Sequence, residues 1–250
     1  MFDFAGQAIF PTHAVASAGP LPAGADRLQL TTEDGKQLHG VHVPPSKRSA
    51  GPKTLILGFA GNAWNSQDAA TYLHQIYPAA HVVAFHYRGY RPSTGTPSAE
   101  ALIADAPLVY DLAVDRLKPD RTIAVGFSIG TGIAAQLAAR RPVDGMILVT
   151  PFDSLKAAAA DLYPMLPMSL LFRHEMDSAS ALKNSEVPVA LIAAADDMLI
   201  GPPRTAALRR SVGNLMFDRT IARAGHNDVY DRSEFHQAMR DALAALAAEK

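Results

Sequence analysis

Short apolar runs alternate with amphipathic segments along most of the chain, and the two periods predict strands and helices. A continuous apolar run bounded by turn residues suits a strand that is buried on both faces of a sheet. Runs of this kind lie at 54–59 and 123–125, and further strands are predicted at 81–87, 144–150, 187–195 and 215–222.

The segments between these runs carry apolar side chains at helical spacing, and two of them also carry start signals. Ser98 is placed to cap one helix, and Asp231, with Glu234 three residues later, is placed to open the last one. The predicted buried stripes are Leu102, Ala106, Val109, Ala113 and Leu117 in the first helix, and Phe235, Ala238, Met239, Ala242 and Leu246 in the last.

Two β runs at 27–32 and 37–43 precede this alternation, and Asp34-Gly35 between them is a hairpin signal. Strands that alternate with helices after an antiparallel start predict an α/β fold. We expect a mixed, mostly parallel sheet with helices on both faces. A length of 250 residues favours a single α/β domain over 1–250.

Residues 152–184 interrupt the alternation, because they are rich in Met, Leu and Phe without a clean period. A small insertion of this kind after a sheet strand is often a lid. Its Met165 and Leu166, together with Trp64 after the 54–59 run, are candidate substrate-binding residues. Packing of the lid onto the body of the protein is the competing interpretation of the Met and Leu side chains.

Gly126-Phe127-Ser128-Ile129-Gly130 spells G-x-S-x-G between a predicted strand and a predicted helix. In that context the motif is a nucleophile elbow, a sharp turn that presents the serine hydroxyl above the end of the sheet. The first amides of the helix have no partner within it, so the Ile129 N–H can hold a developing oxyanion. We expect the second oxyanion donor to be the Phe59 N–H, in the loop after the 54–59 strand.

Three other interpretations of this stretch compete with the elbow. A chance match is the first. The second is a membrane span, since 122–139 is uncharged and contains G-x-x-x-G, although its polar residues make it a poor apolar segment. The third is a dinucleotide loop, because Gly130, Gly132 and Ala135 fit G-x-G-x-x-A.

A serine nucleophile needs a base, and the base needs an acid to orient it. His226 follows a late predicted strand in a Gly-His turn, and Asp196-Asp197 ends the strand before it. The chain order Ser, Asp, His is that of α/β-hydrolases. Neighbouring residues of an extended strand point to opposite sides, so only one aspartate can face His226. We predict a triad of Ser128, Asp197 and His226, with Asp153 as an alternative acid.

Five stretches resemble the α/β-hydrolase superfamily, and within it the small-lid serine hydrolases, some of whose eukaryotic members cleave palmitoyl thioesters from proteins. The resemblance implies hydrolysis of an ester, thioester or amide, and its spacing favours Asp197 as the acid. Two departures concern the oxyanion loop and the strand after it: Leu57 stands where the family usually has His, and His86 where it usually has an acidic residue. The five stretches are 58–62, 87–90, 126–130, 197–200 and 225–228.

Composition narrows the functional classes further. The chain is 48% hydrophobic and 19% charged, with a net charge of −1, which gives no attraction to nucleic acid. It contains no cysteine, which excludes disulfides and thiolate metal sites and fits a cytoplasmic location. His39 and His42 fall on opposite faces of a strand and do not form a metal pair. The mildly apolar N-terminus is at most a weak export signal, and nothing in the sequence indicates the oligomeric state.

The sequence thus indicates a serine hydrolase that cleaves a small-molecule acyl substrate through an acyl-enzyme intermediate. We expect no cofactor, no metal, no nucleic-acid partner and no membrane span. Two alternatives stay open: a catalytically inactive binding protein with this fold, and a nucleotide-dependent oxidoreductase.

Overall fold

The computed structural model describes residues 9–165 and 172–247, and the chain divides into two compact units, 1–124 and 125–250. Within the described residues, every helix is too short or too polar to cross a bilayer.

The first unit begins with the predicted hairpin. Strands β1 (Asp26–Thr31) and β2 (Gln37–Val43) pair antiparallel, with Leu28 opposite Gly40. Strand β2 also pairs antiparallel with β4 (His81–Phe85), and β4 pairs parallel with β3 (Thr54–Phe59). The order β1-β2-β4-β3 confirms a mixed sheet that starts antiparallel.

Two helices cover this part of the sheet, α1 (Ser66–Ile76) and α2 (Ala99–Leu117). Ser98 caps α2 as predicted, because its side chain accepts a hydrogen bond from the Ala101 N–H at 3.1 Å. All five residues of the predicted stripe of α2 are buried. The apolar spacing therefore identified the core face of this helix.

Strand β5 (Arg121–Phe127) crosses the boundary between the units, and its last residues open the second unit. In that unit the strand order is β5-β6-β7-β8, and β7 pairs parallel with both of its neighbours. The remaining elements of the second unit are β6 (Gly145–Val149), β7 (Val189–Ala194), β8 (Leu215–Ile221), α3 (Ile129–Ala138), α4 (Leu155–Leu162), α5 (Ser178–Leu182), α6 (Pro202–Ser211) and α7 (Ser233–Ala247).

The start of the last helix differs from the prediction. Helix α7 begins at Ser233, and Asp231 ends a separate 3-10 turn, Val229–Asp231. The prediction that Asp231 opens the last helix was therefore wrong. The Val229 carbonyl accepts a hydrogen bond from the Arg232 N–H, and this bond keeps the stretch in a turn. The predicted stripe of α7 was right, since all five of its residues are buried.

The insertion 152–184 contains more regular structure than its irregular pattern suggested. Helices α4 and α5 lie within it, and an isolated bridge joins Ser154 to Asp177. Phe152, Phe172 and Met176 are buried, so part of its apolar content packs inside the second unit. A lid at 152–184 and a single domain over 1–250 both stay predictions.

Candidate active site

Ser128 occupies a strained turn between β5 and α3. Its backbone has φ 51° and ψ −117°, a conformation that non-glycine residues rarely adopt and that is found where function requires it. The Ser128 N–H donates to the Val149 carbonyl at 2.9 Å, which ties the turn to β6. The side chain makes no capping bond to α3, so it does not serve as a helix cap.

The glycines of the motif are explained by this bend. A Cβ on Gly126 would lie 2.5 Å from the Gly130 carbonyl oxygen, far inside the van der Waals limit. Strand β5 and helix α3 approach each other so closely at this bend that no side chain would fit at Gly126.

Ser128, His226 and Asp197 form one hydrogen-bonded chain. The Ser128 Oγ lies 3.0 Å from His226 Nε2, and His226 Nδ1 lies 2.8 Å from Asp197 Oδ2. An ionised carboxylate only accepts hydrogen bonds, so Nδ1 carries the imidazole proton. Nε2 is then the acceptor for the serine hydroxyl, as a general base requires.

Asp197 is held in place by its own loop. The side chain is 3% exposed, and its Oδ1 accepts from the Leu199 N–H at 2.9 Å and the Ile200 N–H at 2.7 Å. These bonds leave Oδ2 for His226. Asp196 is exposed, and its backbone N–H donates to the Ala224 carbonyl. The two aspartates thus face different environments, with Asp197 toward the histidine.

The loop that carries His226 is fixed by Asp228. Its Oδ1 accepts from the Gly225 N–H at 2.7 Å, and its Oδ2 pairs with Arg232. The hydrogen bonds from the Arg232 guanidinium and, to a lesser extent, from the Gly225 N–H lower the pKa of the Asp228 carboxyl. Asp228 therefore holds the turn and is not part of the hydrogen-bonded chain.

Tyr230 and Thr150 lie beside this chain, and sequence reasoning did not select them. The Tyr230 hydroxyl hydrogen bonds to Thr150, and burial raises its pKa to about 12. Thr150 follows β6 with φ 48° and is 1% exposed. Edge-to-face contacts of Tyr230 with Phe127 and Phe235 fix the ring. A threonine with positive φ has no sequence signature, so only the structure could reveal it.

The two predicted oxyanion donors belong to different units, Phe59 to the first and Ile129 to the second. Ile129 is the first residue of α3, where the backbone N–H has no acceptor within the helix. Phe59 ends β3 and is buried. The loop after Phe59 is anchored by the Tyr87 hydroxyl, which donates to the Ala60 carbonyl at 2.7 Å. The oxyanion role of both residues stays a prediction.

Comparison with known proteins places the chain in a family. The model of the alpha/beta hydrolase fold matches residues 55–180. This chain belongs to the α/β hydrolase family. An uncharacterized protein of Mycobacterium tuberculosis is 31% identical over 222 residues, which cover 85% of this chain and 78% of that protein.

The chain is also similar to a named lipase in sequence and to a solved α/β hydrolase in structure. Lysophosphatidylserine lipase ABHD12 of Danio rerio is 32% identical over 128 residues, 48% of this chain and 32% of that protein. An α/β hydrolase of Vibrio vulnificus has the same fold, with a TM-score of 0.76 at 19% identity over 97% of this chain and 92% of that one. The predicted fold class is thus confirmed.

Two of the three predicted substrate-binding residues, Trp64 and Met165, are among the described residues, and they differ in exposure. Trp64 is half-buried and packs edge-on against Tyr72, with ring centroids 5.3 Å apart. Met165 is 92% exposed, and Leu166 lies outside the described residues. Their role in substrate binding stays a prediction.

The competing interpretations lose support from local contacts. Asp153, the alternative acid, lies 3.3 Å from Arg204 and not in the hydrogen-bonded chain. A Cβ on Gly132 would lie within 3 Å of Met176 and Phe152, so side chains occupy the space that a dinucleotide loop leaves open for phosphate. In the described part of the chain, no cluster of three or more His, Asp or Glu side chains could hold a metal ion.

Proposed function

We propose that this α/β hydrolase is a serine hydrolase that cleaves an ester, or a thioester or amide, of a small-molecule acyl substrate. The observation that carries the proposal is the chain of hydrogen bonds from Ser128 through His226 to Asp197. The strained backbone of Ser128 supports it, because such strain is typical of positions that function requires.

Acylation begins when Ser128 Oγ attacks the substrate carbonyl carbon. His226 Nε2 takes the hydroxyl proton as the bond forms, and Asp197 stabilises the resulting imidazolium through Nδ1–H. The carbonyl oxygen becomes an oxyanion, for which we propose the N–H groups of Ile129 and Phe59 as donors. When the bond to the leaving group breaks, His226 returns the proton to that group, and the acyl-enzyme remains.

Deacylation repeats these steps with water in place of serine. His226 takes a proton from the attacking water, the tetrahedral intermediate collapses, and the proton passes to Ser128 Oγ as the acid leaves. Every proton is moved by His226, so the proposed reaction needs no metal or cofactor.

Two observations support an apolar acyl group as the part of the substrate that binds. One relative is named a lysophosphatidylserine lipase, a name that specifies a lipid substrate. In the second unit, Met198 and Leu199 follow Asp197 directly and are 89% and 39% exposed. Exposed apolar side chains beside the proposed acid can contact an acyl chain.

Labelling with a fluorophosphonate probe, combined with turnover of model esters, tests the proposal. The parent protein should be labelled and should hydrolyse esters, and Ser128→Ala should lose labelling and about 10⁴- to 10⁶-fold of the turnover, because the three residues act as a unit. Ser233→Ala, which changes an exposed serine at the start of α7, should behave as the parent.

The outcomes separate the two functional classes. A parent protein that folds but is neither labelled nor active would support a catalytically inactive binding protein. Full activity in Ser128→Ala would show that the reaction does not use this serine.

A further inference from the structure

A cavity of about 770 Å³ lies in the first unit, at the edge where β3 and β4 end. The two strands are parallel, so their carboxyl ends share this edge, which is where α/β sheets commonly bind ligands. His86 directly follows β4, and Asn65 and Gln67 form the start of α1 after the β3 loop. The N-terminal segment forms another wall, at residues 12–13 and 15–19.

The lining of the cavity carries two positive charges. Arg27 and Arg91 line it, and none of the described residues along it is acidic. Arg27 has one long hydrogen bond, 3.4 Å to Gln67 Oε1, and no described residue pairs with Arg91. The neighbouring Asp68 does not line the cavity, and its carboxylate accepts from the Gly19 N–H at 2.8 Å. Both guanidinium groups thus keep most of their donors for a ligand.

The backbone of His86 is hydrogen-bonded to His39 and Ser93, whereas its imidazole ring faces the cavity. His86 is 5% exposed, lines the cavity, and has no hydrogen bond from its ring to any residue in the described part of the chain. Burial lowers its pKa to about 4, so the ring is neutral at physiological pH. A carboxylate at this position would neutralise the nearby arginines, whereas a neutral imidazole leaves their charge available and adds one donor and one acceptor.

The N-terminal wall is fixed by side-chain amides. Asn65 Nδ2 donates to the Ala16 carbonyl at 3.1 Å, and Gln67 Nε2 donates to the Gly19 carbonyl at 2.6 Å. These two amide groups are therefore occupied in holding the wall, and we assign recognition of a ligand to the two arginines and His86.

We propose that this cavity binds a small organic phosphate. Arg27 and Arg91 pair with the phosphate oxygens, for which the planar guanidinium offers matched donors. The volume is several times that of a phosphate group, which leaves space for an organic remainder that hydrogen bonds with His86. The proposal concerns binding in the first unit and does not depend on hydrolysis by Ser128.

Isothermal titration calorimetry on the full chain tests this site, with glycerol 3-phosphate, inorganic phosphate, succinate and glycerol as probes. Glycerol 3-phosphate should bind more tightly than inorganic phosphate or succinate, and glycerol should not bind. Arg91→Gln should weaken binding about tenfold or more, because one charge-assisted contact is lost. Arg210→Gln, an exposed arginine on α6, is the matched control and should leave the affinity unchanged.

Two more variants make the site assignment specific. His86→Asp should abolish binding, because the new carboxylate pairs with the arginines. Ser128→Ala should retain the full affinity, so loss of hydrolysis and loss of binding are separate results. The proposal is overturned if no phosphate compound binds, if Arg91→Gln and Arg210→Gln bind equally, or if succinate or inorganic phosphate binds as tightly as glycerol 3-phosphate.

Discussion

At the scale of single residues, two adjacent aspartates differ in burial and in hydrogen bonding. Asp197 is buried and its carboxylate accepts three hydrogen bonds, two from backbone amides and one from His226. Asp196 is exposed, with no contact of this kind. The side chains of neighbours in an extended segment point apart, so the geometry at the end of β7 separates the two roles.

The first prediction compares these two residues. Asp197→Asn should lower kcat about 10⁴-fold, because an amide that donates to Nδ1 favours the wrong imidazole tautomer. Asp196→Asn should have little effect, since its side chain is exposed. Steady-state kinetics on a model ester measures both, and the reverse ranking would move the acid to Asp196.

A second residue-scale prediction concerns pH and His86. The pKa of His86 is about 4 in the folded protein, because burial disfavours the charged ring, against about 6.5 in an unfolded chain. Below about pH 6.5 the unfolded chain therefore binds more protons than the folded one. Stability is complete above that pH and is lost as the pH falls toward 4.

Urea denaturation at about pH 7.5 and about pH 5 measures this effect. His86 alone should contribute a loss of about 2 kcal/mol in the free energy of unfolding over that range. His86→Asn should remove that part of the loss, whereas His13→Asn, an exposed histidine, should follow the parent. Identical pH dependence in the parent and His86→Asn would contradict the prediction.

At the scale of elements, the starts of two helices show how local signals succeed and fail. Ser98 precedes α2 and caps it through the Ala101 N–H. Asp231 carries a similar signal, yet a 3-10 turn takes up Val229–Asp231 and delays α7 to Ser233. This turn directly follows the His226 loop, in which the Asp228 carboxylate accepts a hydrogen bond from the Gly225 N–H. The tertiary fold of that loop therefore outweighs the local preference of Asp231 for a helix start.

The third prediction tests this difference. Ser98→Ala should lower the free energy of unfolding by about 1 kcal/mol, because the Ala101 N–H loses its capping acceptor. Asp231→Ala should cost only roughly a few tenths of a kcal/mol, since its side chain is exposed and the residue ends a 3-10 turn instead of opening α7. Urea denaturation of both variants measures the two changes in the free energy of unfolding. Equal losses of stability would mean that Asp231 stabilises α7 despite its position.

At the scale of the whole molecule, the exposed large apolar side chains of the described residues are few. They occur in two short stretches of the second unit, one at the end of α4 and one directly after the proposed acid: Tyr163, Met165, Met198 and Leu199. With a net charge of −1, the chain offers no general electrostatic attraction for a substrate. Selection among esters should therefore depend on apolar contact.

The fourth prediction follows from this distribution. For p-nitrophenyl esters from acetate to decanoate, kcat/KM should first rise by up to a few-fold for each methylene, because a buried CH₂ contributes about 0.8 kcal/mol, and should then level off. Met198→Gln should reduce this dependence while retaining the rate on acetate, which serves as the internal control. A maximum at acetate would contradict an apolar acyl site.

The sequence by itself determined those features that depend on local pattern. Apolar runs located the strands to within a few residues, and every residue of the predicted stripes of α2 and α7 is buried, because helical spacing alone fixes which side chains share a face. The strand, sharp turn and helix around Ser128 could be predicted because close approach at Gly126 excludes any side chain.

The tertiary structure alone decided those features that depend on contacts between distant segments. The sequence contained Ser128, Asp197 and His226, but their hydrogen bonds arise from loops that follow β5, β7 and β8. The contact of Tyr230 with Thr150 and the cavity beside His86 likewise join residues far apart in the chain. The periodicity of the sequence indicates which face of a helix or strand a residue occupies. Which distant residue it contacts on that face is decided by the packing of the folded chain.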